Sequence, residues 1–150
     1  MGRRLGLGIV VATLCVVADA RAGVYIGHSE QAGSNRVEID VARGGPVQQA
    51  SIDWVADCGK RDGVIRSNTT VTDFNRRTHD SFADRFRGRI RDGRRKLFVR
   101  YAFAGKRRPQ TDRLFFGTFR LLVRYEGRNP PVEGACRTNL LRWTARLGNR

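Results

Sequence analysis

The sequence predicts a single all-β domain, an antiparallel β-sandwich or small barrel of about eight strands with one disulfide. Three observations predict it. No stretch after residue 22 sustains the 3.6-residue apolar period of a helix. Apolar and polar residues alternate instead, and glycine-rich turns recur at short spacing. Two cysteines lie beside tryptophans in candidate strands near either end of this region, in WVADC and CRTNLLRW.

The first residues, MGRRLGLGIVVATLCVVADARA, read as a secretory signal peptide. Arg3 and Arg4 precede an apolar run from Leu5 to Ala18, and small residues fit cleavage after Ala20 or Ala22. The run is shorter than the roughly 20 apolar residues of a membrane helix. No later segment is apolar enough to span a membrane, so residues 23–150 are expected as one exported domain, periplasmic or secreted.

Export decides how the cysteines read. Cys15 would leave with the signal, and Cys58 and Cys136 would remain in an oxidising compartment. A zinc site would want about four ligands, and His28 and His79 have no close spacing to each other or to the cysteines. A catalytic thiol would want a base and an orienting group. One Cys58–Cys136 bridge is the expectation, and it would constrain the unfolded chain by about 4–5 kcal/mol.

A short strand is expected at Val24–Gly27, followed by NRVEIDVA with Val37, Ile39 and Val41 on one face. A turn at Gly44-Gly45 would set Val41 opposite Gln48, Ile39 opposite Ala50 and Val37 opposite Ile52. The inward face then continues through Trp54, Ala56 and Cys58. GVIRSNTTVTDF holds one or two short strands, and NRRTHD reads as a loop.

SFADRFRGRIRDGRRKLFVRYAFAG is a hairpin about Asp92-Gly93. With those two residues as the loop, Phe82 faces Phe103, Asp84 faces Tyr101, Phe86 faces Val99 and Gly88 faces Leu97. RLFFGTFRLLVRYEG follows with Phe115, Phe119, Leu121, Val123 and Tyr125 inward. The last strand runs from Ala135 to Leu147, and either a bulge near Arg137–Asn139 or a strand end at Cys136 would bring Cys136 to the side of Leu141, Trp143 and Ala145.

The chain carries 29 Lys and Arg against 14 Asp and Glu, a net charge of +15. Without residues 1–22 there remain 26 basic and 13 acidic residues, a net +13. Alternation concentrates this charge. The outward face of the hairpin collects Arg85, Arg87, Arg89, Arg91, Arg94, Lys96 and Arg100 around Phe98, and Arg120 and Arg124 continue it on the next strand. The expected register sets Arg85 against Arg100, Arg89 against Lys96 and Arg91 against Arg94, which is destabilising. These residues are therefore the candidate site for an acidic polymer or an anionic cell-surface component, with Phe98 as a stacking platform.

Two other readings stand beside this one. A structural or protein-interaction module would carry the basic face incidentally, since Arg stems also cover apolar surface. A small hydrolase could draw a carboxylate pair from Glu38, Asp40, Asp53 and Asp57. Against it, the sequence holds no nucleophile elbow, metal-ligand spacing, phosphate loop or cofactor fingerprint. No catalytic residue, metal or cofactor is assigned.

Trp54-Val55-Ala56-Asp57-Cys58, with Cys136 and Trp143-Thr144-Ala145-Arg146, resembles a group of small exported bacterial β-domain proteins. They share a W-x-A-x-C strand and a closing C…W-x-A-R strand. The resemblance implies export, one bridge and an all-β domain, and it implies no catalytic residues.

Overall fold

A computed structural model describes residues 22–33, 35–111, 113–128 and 130–148; the signal-peptide expectation falls outside them. Among the described residues there are ten strands and no helix. They are β1 (Gly23–Ser29), β2 (Arg36–Val41), β3 (Val47–Asp57), β4 (Val64–Val71), β5 (Arg76–Arg77), β6 (Ser81–Asp92), β7 (Arg95–Arg107), β8 (Leu114–Glu126), β9 (Ala135–Arg137) and β10 (Leu141–Leu147). The count exceeds the expected eight because β5 and β9 span only two and three residues.

Antiparallel ladders close β8, β10, β1, β2, β3 and β9 into a six-stranded barrel. β7 runs along β8 from Phe115 to Glu126. A strand has two edges, so β10 and β9 share the other one. From β7 the sheet continues outward through β6 to β5, while β4 extends it from β3.

Two bulges shape the barrel wall. The register slips between Asp40 and Val41, so Val41 pairs with Val47 rather than Gln48; Ile39–Ala50 and Val37–Ile52 pair as expected. The slip points both Val41 and Val47 inward, where both are buried. The second bulge splits the expected last strand. Val123 pairs with Cys136, but Phe119 pairs with Leu141, one residue out of step. Thr138 fills the gap, where its amide donates to the Leu121 carbonyl and its Oγ1 accepts from the Leu121 amide. Cys136 thereby turns inward and bonds to Cys58.

The hairpin keeps its expected faces but not its expected pairs. Its two-residue loop is Gly93-Arg94, and Asp92 pairs with Arg95. Every partner moves by two residues, so Phe82 faces Gly105, Asp84 faces Phe103, Phe86 faces Tyr101 and Gly88 faces Val99. Gly93, at φ 59°, takes the left-handed conformation that a side chain resists.

The register brings Phe82, Gly105, Gly117 and Trp143 into one inward row across β6, β7, β8 and β10. The Trp143 indole lies over the two glycines: a Cβ on Gly117 would stand 2.4 Å from the ring, and one on Gly105 2.6 Å. Trp143 is 2% exposed, stacks on Phe82 at 6.0 Å and meets Phe103 edge-on at 5.8 Å. Beyond this row, at the end of β7, Arg107 turns inward. Its guanidinium lies 5.2 Å from the Phe115 ring centre and 5.7 Å from that of Tyr25, with Asp80 at 3.7 Å.

Candidate functional site

Outward side chains of β6, β7, β8 and β9 form continuous rows, because cross-strand partners share a face. One row reads Arg87, Arg100, Leu122, Arg137, and its neighbour reads Arg85, Ala102, Arg120. Together they line a depression of about 440 Å³, with the small side chain of Ala102 and the half-buried Leu122 between the guanidinium groups. Strand spacing makes it about 14 Å across and the two rows about 7 Å apart. The five arginines are exposed, and no ion pair among the described residues neutralises them.

The other expected site residues sort differently. Arg89 and Arg124 both reach Glu126, at 2.8 and 3.7 Å. The bond from Arg89 holds the Glu126 carboxyl below the ordinary carboxylate range. Arg124 also covers Phe98, its guanidinium 5.5 Å from the ring centre. The stacking partner of Phe98 is therefore a neighbour in the same fold. Lys96 stands across from Glu126 on one side and Arg91 on the other. Arg94 belongs to the turn rather than the face.

The expected like-charge pairs change with the register. Arg85 faces Ala102 and Arg89 faces Phe98, which relieves two of the expected repulsions. Arg87 against Arg100 and Arg91 against Lys96 are the like-charge pairs that form. Arg137 was not among the expected residues. Its neighbour Cys136 pairs with Val123, which places Arg137 beside Leu122, and only the β8–β9 ladder reveals this.

Three of the four acidic residues of the first hairpin, Glu38, Asp53 and Asp57, have local partners. Glu38 binds Arg36 at 2.8 Å, Asp53 accepts from the Asn68 amide at 2.8 Å, and Asp57 caps the Gly59 N–H at 2.7 Å. Among the described residues, no three His, Cys, Asp or Glu side chains gather as a metal site would require.

Fold and site together define a class: a disulfide-linked, closed β-barrel with a cationic depression that spans barrel strands β8 and β9 and the added strands β6 and β7. Comparisons with protein-family models, curated proteins and solved structures find no match to this chain.

Proposed function

We propose that this is an exported, non-catalytic β-domain that binds an anionic polymer or surface through Arg85, Arg87, Arg100, Arg120 and Arg137. The observation that carries the reading is where those arginines sit. From Arg85 to Arg91, β6 has a ladder on one side only, and charged residues on such an edge deter strand-to-strand aggregation. Edge protection accounts for Arg85 and Arg87. It does not account for Arg100, Arg120 and Arg137, because β7, β8 and β9 are paired on both sides. Planar guanidinium groups suit phosphate and sulfate because each donates two parallel hydrogen bonds.

The closed disulfide fits an oxidising compartment, and among the described residues no helix is long and apolar enough to cross a membrane. The interaction-module reading explains the edge arginines equally well but leaves the interior ones without a role. The test is the triple substitution Arg100→Gln, Arg120→Gln, Arg137→Gln. It is expected to reduce polyphosphate binding at least tenfold at unchanged melting temperature. Retained binding would move the site elsewhere.

A further inference from the structure

The free edge of β6 faces a second surface whose chemistry specifies an occupant. Asn75 shows which way the edge points: its side-chain oxygen accepts a hydrogen bond from the Arg85 N–H at 2.6 Å. Outward backbone groups repeat every second residue, so the N–H and C=O of Arg87, Arg89 and Arg91 also point away from β7. β5 covers only Phe82 and Ala83 of this edge. On the barrel side, Phe86 and Ile90 project from β6 and stay 37% and 43% exposed. They border a cleft of about 680 Å³ between β4 and the inner faces of β6, β7 and β8, with Trp54, Leu97, Val99 and Val123 in its lining. The Trp54 indole N–H donates to Thr69 Oγ1, so its polar atom is satisfied inside the cleft.

We infer that the edge of β6 binds an extended peptide segment of a partner protein, antiparallel, with alternating acidic and apolar residues. Addition of a strand to a free edge supplies main-chain hydrogen bonds, and alternate side-chain positions supply specificity. In an antiparallel ladder, residues directly opposite share a face. Partner residues opposite Arg87, Arg89 and Arg91 would lie on the cationic face and are favoured as Asp or Glu. The residues between them would point with Phe86 and Ile90 into the cleft and are favoured as Val, Ile or Leu. A second copy of β6 is disfavoured, since it would set arginine against arginine. The inference shares Arg87 with the proposed polymer site, but N-methylation of the peptide and Ile90→Glu read the backbone edge and the cleft alone, so the two readings fail separately.

The test uses a fluorescently labelled eight-residue peptide alternating Glu and Val, titrated into the protein by anisotropy at low salt. Saturable binding is expected, at least tenfold tighter than for the Lys/Val peptide. N-methylation of the Glu amides, which face β6 in this register, should abolish it. N-methylation of the Val amides should be tolerated. Ile90→Glu should weaken binding at least tenfold while circular dichroism shows an intact fold. Absence of saturable binding, equal binding of the Lys/Val peptide, unaltered binding to Ile90→Glu, or any other methylation pattern overturns the inference.

Discussion

Arg87 stands directly across the β6–β7 ladder from Arg100, on a face where neither has an ionic partner among the described residues. Like charges so placed destabilise a sheet by a few tenths to about 1 kcal/mol. Arg87→Glu would turn repulsion into attraction. The variant is expected to be more stable than the parent by about 0.5–1 kcal/mol in urea unfolding, and to bind polyphosphate more weakly. Stability and binding moving in opposite directions is the signature of a face kept for a ligand.

Gly117 tests the seat of Trp143. An added Cβ would lie 2.0 Å from the Ala104 carbonyl oxygen and 2.4 Å from the indole, and backbone blocks the first of these. Gly117→Ala is expected to cost about 3 kcal/mol by overpacking. At Gly88 the nearest atoms belong to the Phe86 ring, at 3.0 Å, and that ring is partly exposed and can swing aside. Gly88→Ala should cost under about 1 kcal/mol. Chemical denaturation of both variants measures the contrast.

The Tyr101 hydroxyl donates to Asp84 at 2.5 Å. Burial pushes the phenol well above its ordinary value, and the hydrogen bond to Asp84 and its negative charge push the same way. The folded state thus holds this proton more tightly than the unfolded chain. The associated stability is fully present below pH ~10, where an unfolded tyrosine begins to ionise. It falls as pH rises through that value toward the folded one. Tyr101→Phe is expected to cost about 1 kcal/mol at pH 7. Its deficit relative to the parent should shrink between pH 10 and 11 in urea titrations.

The Cys58–Cys136 bridge closes a separation of 78 residues and ties the end of β3 to β9. β9 otherwise meets β3 through the single pair Asp57–Arg137. Cys58→Ala with Cys136→Ala is expected to lose about 4–5 kcal/mol. Thermal unfolding measured with and without reductant should show the same large drop in the parent.

Alternation alone made much of this molecule legible. Inward and outward faces of β2, β3, β6, β7 and β8 follow from parity, and parity survives a two-residue change of register. Ile39–Ala50 and Val37–Ile52 pair as expected, but the pairings of the β6–β7 hairpin did not follow. Asp92-Gly93 and Gly93-Arg94 are both possible two-residue loops, and only the second sets Phe86 on Tyr101, where the rings stack at 5.9 Å. The slip at Asp40/Val41 was hidden because Gly44-Gly45 looked like a turn in register. Arg107 lies in the basic run Lys106-Arg107-Arg108, where parity gives no warning of burial, yet it is 5% exposed against Tyr25 and Phe115. A long cation can turn inward where aromatic faces and a carboxylate meet it. Of the candidate site, four arginines were legible from the hairpin and the strand after it. Arg137 was not, because its place depends on a ladder between strands remote in sequence.

The most direct test of the central claim is the salt dependence of polyphosphate binding. If five arginines each neutralise one phosphate, log K should fall against log salt with a slope of about −3.5, the single-strand value for five contacts. With Arg100, Arg120 and Arg137 changed to Gln, the slope should fall to about −1.4 and the affinity at least tenfold. A slope near zero in the parent, or an unchanged slope in the variant, would contradict the assignment of this depression as an anion-binding site.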